Sequence, residues 1–264
     1  MKYTLWFAVQ LMTVVLLGHS VYAADVTARD ITEALFRAGA TSGTVTYAGK
    51  DLSFLDLEGL DFKQADLTGT NFYGSDLTRA QLRGSNLAGA RLDRTSLSLA
   101  DLSNANLKGA TLLTVSAHAT TEPNPKDAPS FVGADLSDAH IASRLDGADF
   151  SNANLSRARI GTLIPTWGSY RPRAIFNSAK FSGAVLKGAD LSMAVMQFTE
   201  FTNADLSGAN LKNCDFTKAN LGGADLSGAD VSGADFDGAD LTGVKGLDTV
   251  IGLAQAKNID RAVR

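Results

Sequence analysis

Residues 224–243 read Ala-Asp-Leu-Ser-Gly-Ala-Asp-Val-Ser-Gly-Ala-Asp-Phe-Asp-Gly-Ala-Asp-Leu-Thr-Gly. A large apolar residue returns every fifth position, at Leu226, Val231, Phe236 and Leu241, with an alanine two places before it and an aspartate between. Self-similarity at a fixed period outranks local propensity as a fold signal, because it implies one structural unit stacked on copies of itself.

The pattern extends both ways. Backwards it runs through Leu221, Phe216, Leu211, Leu206, Phe201, Met196, Leu191 and Leu186 to Phe181 and Phe176. A second tract runs without a miss from Leu52, Leu57, Phe62 and Leu67 to Leu102, Leu107 and Leu112. The small slot holds Ala65, Ser75, Ala80, Ala90, Ala189 and Ala209, and the lone cysteine, Cys214, occupies it once. Asp66, Asn86, Asp101, Asp190, Asp205 and Asn220 are among the polar residues between the two.

Five suits neither regular element. On a helix each step of five turns the side chain by about 140°, so no apolar face forms. On a flat strand an odd period sends alternate leucines to opposite sides. Only a chain that turns a corner in each repeat keeps every leucine and alanine inward, which makes a polygonal solenoid. Ordering five residues costs about 5–10 kcal/mol of backbone entropy, while burying one Leu or Phe returns about 1.5–3. One turn therefore cannot stand alone, and stability must come from coils stacked at about 4.8 Å. The spacing leaves open whether the polygon is a triangle or a square.

The iterated A(D/N)LXX pattern over Lys50 to Gly243, broken twice, strongly resembles the pentapeptide-repeat proteins. The resemblance implies an all-β, right-handed quadrilateral parallel β-helix, with four repeats per coil and the Asp or Asn pointing outward. With it goes a short N-terminal helical cap and a C-terminal cap, since an open solenoid end exposes apolar surface and unpaired backbone.

The organisation expected is a signal peptide at 1–23, an N-terminal cap at 24–49, repeats at 50–113, a loop insertion at 114–130, repeats at 131–160, a second insertion at 161–173, repeats at 174–243 and a C-terminal cap at 244–264. Asp30–Arg37, with an N-cap and ended by Gly39, reads as the capping helix. Pro123, Pro125 and Pro129 mark the first insertion. In the middle tract Ile141 is followed by Leu145, one residue early, so a bulge or register defect lies between them. Leu247 to Val263 loses the five-residue period and is expected to form a cap or a dimer surface.

Met1-Lys2 followed by an apolar run through Leu11, Val14, Leu16 and Leu17, then Val21-Tyr22-Ala23, follows signal-peptide grammar, with cleavage after Ala23. A membrane anchor is the alternative, but the run is shorter than the about 20 residues a bilayer needs. Loss of Lys2 takes the formal charge from −4 to −5. Periplasmic or secreted localisation follows, with no transmembrane segment after cleavage. One cysteine makes no internal disulfide.

Chemistry-bearing motifs are sparse. His118 and His140 lack the cysteine or carboxylate spacing of a zinc site, and no nucleophile elbow, phosphate loop or dinucleotide fingerprint occurs. No catalytic residue, cofactor or metal is expected. The candidates for protein binding are Trp167, Tyr170, Arg171 and Arg173 in the second insertion, since Trp, Tyr and Arg anchor interfaces. Asp225, Asp230, Asp235 and Asp240, in a run free of Lys and Arg, join them as a negative docking face. Arg79, Arg83, Arg91 and Arg94 make the other end more basic.

The function expected is a non-catalytic periplasmic scaffold that presents a rigid surface to an envelope or periplasmic protein. A homodimer through the C-terminal segment is compatible, and no nucleic-acid partner is expected. The resemblance supplies one alternative, because some cytoplasmic members of that family look like duplex DNA and bind DNA gyrase. A carbohydrate-active β-helix enzyme is a further one, set against the lack of a concentrated carboxylate site.

Overall fold

The computed structural model describes residues 25–41, 44–117, 124–161 and 173–264. Each repeat makes one isolated parallel bridge and one turn. The bridges join residues twenty apart, as in Asp51↔Asn71↔Arg91↔Thr111 and Asp56↔Asp76↔Ser96↔Ser116. Twenty residues at five per side make four sides, so the polygon is a square. A triangle would pair residues fifteen apart.

The corner has a simple chemical basis. In the unit around Phe62 the amide of Ala65 donates to the Phe62 carbonyl at 2.9 Å, closing a β-turn. Its third residue, Gln64, has φ 58°, the only positive φ in that turn, which is type II geometry. Glycine fills the equivalent place at Gly69, Gly84 and Gly109.

Leu52, Phe72, Leu92 and Leu112 stack down the first side, all fully buried. Down the third side Phe131, Phe150, Phe181 and Phe201 form a column, with centroids 4.7, 4.9 and 4.8 Å apart and planes within 8°. Rings stack face to face here because identical side chains recur at the coil pitch of about 4.8 Å. Hydroxyls in the small slot are satisfied by carbonyls, as Ser75 Oγ donates to Leu52 O at 2.6 Å and Thr199 Oγ1 to Met196 O at 2.6 Å. Cys214 Sγ does the same with Leu191 O at 2.9 Å, and burial pushes its thiol pKa far above the usual range.

Several boundaries differ from the sequence expectation. Helix α1 spans Ala28–Thr41. Its N-cap is Thr27, whose Oγ1 accepts from Asp30 N at 3.2 Å while Thr27 N donates to Asp30 Oδ2 at 3.1 Å. That is a reciprocal capping box with Asp30 at the third helical position instead of the cap. The helix passes through Gly39, with Ile31 fully buried against the core.

The first coil tract continues beyond residue 113. Thr111–Leu113 forms β1, Ser116 still bridges Ser96, and Val115 and Ala117 are buried. Here the size order of small and large slots is reversed, which hides the repeat in the sequence. The chain is back on the ladder at Ser130, which bridges Asp101, 29 residues away instead of 20. Before that, Pro125–Asp127 makes a 3-10 turn whose Asp127 carbonyl accepts from Leu99 N at 2.7 Å. The second insertion lengthens a coil to 31 residues, from Arg144 to Ile175.

The register defect lies where β2 (His140–Ala142) pairs in parallel with β1 and with β3 (Arg159–Ile160). No residue from His140 to Leu145 has positive φ, so the chain cuts this corner in four residues. Ser143 fills the gap, its Oγ donating to Leu112 O at 2.7 Å and accepting from Val115 N at 3.1 Å.

The C-terminal segment has not lost its period but changed it. Lys245, Ile251, Lys257 and Val263 bridge Asp225, Asp230, Asp235 and Asp240, and Gly246, Gly252 and Asn258 carry positive φ. Both sets step by six. Val244, Leu247, Val250, Leu253, Ala256, Ile259 and Ala262, three apart, rest against the core. The last coil is therefore wider, with two inward residues per side.

Candidate interaction surface

The outward carboxylates are explained first by the turns. Asp225 Oδ1 accepts from Ser227 N at 2.8 Å, Asp230 from Ser232 N at 3.0 Å, Asp235 from Asp237 N at 3.0 Å and Asp240 from Thr242 N at 2.8 Å. Each closes a turn over its own corner. Hydrogen bonds from Ser227, Ser232 and Thr242 hold the carboxyls of Asp225, Asp230 and Asp240 below their usual range.

These four acids do not form one negative face. Successive repeats lie on successive sides, so Asp225, Asp230, Asp235 and Asp240 occupy the fourth, first, second and third sides of a single coil. Two of them also have other partners. Lys212 Nζ is 3.0 Å from Asp230 Oδ2 and the Asn258 amide Nδ2 donates to Asp235 Oδ1 at 2.7 Å, while the neighbouring Asp237 Oδ1 lies 3.0 Å from Arg261 Nε.

Trp167, Tyr170 and Arg171 lie outside the described residues, as does His118. Arg173 is exposed where the chain re-enters the second side. Its charge reaches Asp215, whose carboxyl is raised by burial but brought below its usual range by hydrogen bonds from Thr217 and Gln197. On the same side Ile175 and Val195 pair across adjacent coils, and Phe198 is 51% exposed with Lys218 Nζ 5.4 Å from its ring centroid.

The four N-terminal arginines are also dispersed. Arg79 pairs with Glu58 and Arg83 stands on the third side, whereas Arg91 and Arg94 share the first. There they meet Phe54 and Tyr73, a grouping invisible until residues twenty apart are known to be neighbours. Aligning the sequence at that step would have found it.

His140 is half-buried, and burial first, then the Arg159 charge, lowers its pKa. Among the described residues no three His, Cys, Asp or Glu side chains could hold a metal ion together, and no helix is long and apolar enough to cross a membrane.

Fold and surface together define a four-sided parallel β-helix whose outward polar groups mostly serve its own turns. Sequence comparison matches pentapeptide repeats in eight copies over residues 51–84, 75–112, 130–160, 174–213 and 204–243, more than half of the chain. The chain belongs to the pentapeptide repeat family, whose members are generally non-enzymatic structural or binding proteins. Comparison with curated proteins finds no match.

Among solved structures it is similar to HetL, a pentapeptide repeat protein involved in heterocyst differentiation regulation from the cyanobacterium Nostoc sp. strain PCC 7120. The two are 27% identical with a TM-score of 0.58, over 86% of this chain and 92% of that one. QnrB1, a plasmid-mediated fluoroquinolone resistance protein, is 20% identical over 76% of this chain and 89% of its own, with a TM-score of 0.31. A pentapeptide repeat protein of the Arabidopsis thaliana thylakoid lumen is 26% identical over 49% of this chain and 73% of its own, with a TM-score of 0.27. The likeness to HetL carries the right-handed coil.

Proposed function

We propose that this chain is a non-catalytic scaffold, exported by its leader and cleaved after Ala23, that presents a side of a rigid rod to a protein of the periplasm or cell envelope. The observation that carries the reading is the commitment of the outward carboxylates to turn amides, as at Asp205, where Oδ1 accepts from Ser207 N at 2.9 Å. Groups so fixed give shape and solubility and do not form a proton-transfer pair. The second side supports a docking role, since Ile175, Val195 and Phe198 stand outward beside Arg173.

In this reading α1 and the wide last coil close the two ends of the core, and any homodimer forms through residues 244–264. No nucleic-acid partner is expected.

Fractionation of cells expressing a C-terminally tagged full-length chain, with the product's mass measured, tests the export. A periplasmic product starting at Ala24 supports it, and cross-linking through the second side should then capture an envelope protein. An uncleaved cytoplasmic product overturns it and makes gyrase binding the next assay. A hydrolase or transferase activity in the purified chain, lost on mutation of a polar cluster, overturns the scaffold reading itself.

A further inference from the structure

Near the N-terminal end, the first side carries an aromatic and cationic cluster that neither core nor turns require. Phe54 and Tyr73 meet edge to face, centroids 5.4 Å apart and planes at 79°. The guanidinium carbon of Arg91 lies 4.3 Å from the Tyr73 ring centroid, and that of Arg94 lies 5.7 Å away. Ser53, Phe54, Asn71, Tyr73 and Arg91 line a cavity of about 370 Å³.

The cluster is built against local preference. Phe54 and Arg94 both sit at the turn position with φ 58°, where a side chain is disfavoured. Elsewhere such residues pair with a neighbouring coil, as Arg79 with Glu58 and Arg157 with Asp138. Here the two converge on one ring. Gly74 stands between them in the column, and a Cβ there would lie 2.8 Å from Phe54 Cδ1 and Cε1. Only glycine lets the Phe54 ring lie across the next coil.

Hydrogen-bonding capacity is left over. Asp93 takes Arg91 through Nε at 2.8 Å, and the two terminal nitrogens have no acceptor among the described residues. Arg94 has no carboxylate partner among them. Ser53 is 4% exposed, and its Oγ is buried without a hydrogen-bond partner among the described residues. Asn71, by contrast, has its amide oxygen on Tyr73 N and donates from Nδ2 to Asp51 Oδ1.

A guanidinium fork matches a carboxylate, and an aromatic wall matches a ring. A cavity of this size admits one ring-sized ligand and is too small for a helix. We infer that this cleft binds a ring-bearing carboxylate, either a sugar acid or an aromatic acid. The ring lies against Phe54 and Tyr73, the carboxylate on Arg91 and Arg94, and Ser53 supplies a donor from the floor. This is independent of export and of any protein partner.

The test is a ligand-observed NMR titration of the purified chain with benzoate and with glucuronate, using benzamide and methyl glucoside as uncharged controls. Phe54→Gly and Arg94→Gly restore the residue the turn prefers, so both variants should keep the parent melting temperature or exceed it. The expected result is saturable binding of at least one acid, at least tenfold weaker binding of its uncharged control, and at least a tenfold loss in both folded variants. Benzoate alone binding assigns an aromatic acid, and glucuronate alone a sugar acid. The proposal is overturned if neither acid saturates, if inorganic phosphate displaces them at equal concentration, or if the folded variants bind as the parent does.

Discussion

The carboxylate of Asp93 joins two coils: Oδ1 accepts the backbone amide of Leu113 at 3.1 Å, and Oδ2 holds Arg91 Nε at 2.8 Å. In most repeats the amide after the large residue is satisfied by the Asp or Asn just before it, as Ser103 N is by Asp101 at 2.9 Å. Thr111 Oγ1 does not accept in that way, and the acid one coil earlier substitutes. Asp146 does likewise for Asn177 N at 2.9 Å, and Asn177 Oδ1 for Gln197 N at 3.2 Å. Asp93→Ala leaves that amide without its acceptor and should cost about 1–3 kcal/mol. Asp93→Asn keeps an acceptor and should cost less. Urea unfolding of the two variants beside the parent checks the order.

The stacked column predicts a size-dependent penalty. Phe150 is fully buried between Phe131 and Phe181. Phe150→Ala should destabilise by about 3–5 kcal/mol. Phe150→Leu should cost clearly less, because Leu102 and Leu221 fill the same side at other levels. Thermal unfolding followed by circular dichroism separates them.

Glycines at the turn position divide into two kinds. Gly109 has φ 66° and nothing within 4 Å of an added Cβ, so Gly109→Ala should cost only the left-handed strain, about 1–2 kcal/mol. Gly147 has φ 73°, and a Cβ there would lie 2.6 Å from Pro125 Cα. Gly147→Ala should cost distinctly more and expose the Pro125–Asp127 turn. Melting temperature and limited proteolysis at that turn provide the comparison.

Acid should weaken the rod at several levels, from Asp66 and Asp138 to the C-terminal coils. Hydrogen bonds hold the carboxyls of Asp225, Asp230 and Asp240 below their usual pKa, and Asp215 is lowered despite its burial. The folded state thus prefers them ionised. Their stabilisation is present above the unfolded carboxylate value, about 3.9, and lost as pH falls through the lower folded values. Unfolding midpoints should decline slightly as pH falls through about 6.5, where burial keeps His140 neutral in the folded state, and further below about pH 4. Asp240→Asn, which keeps an acceptor for Thr242 N, should make that decline shallower.

The repeat was legible because a corner every five residues is the only way to keep Leu206, Leu211 and Phe216 all inward. Where slot sizes reverse, at Val115 and Ala117, the continuing coil is hidden, because its large residue stands in the small slot. The six-residue last coil is written in the apolar steps of three from Val244 to Ala262, which a five-residue frame does not align. The reading of Asp225 to Asp240 as one docking face failed for a geometric reason, since neighbours in the repeat lie around the rod.

By itself the sequence determined an inward Leu or Phe every fifth residue, and hence a solenoid, since burying those side chains requires a turn in each unit. It left the number of sides open. The tertiary structure decided that number through backbone bonds joining residues twenty apart, such as Leu52 N to Asn71 O at 2.8 Å. The perimeter so chosen determines which outward side chains are neighbours. It scattered Asp225, Asp230, Asp235 and Asp240 over four sides and brought Phe54, Tyr73, Arg91 and Arg94 together on one.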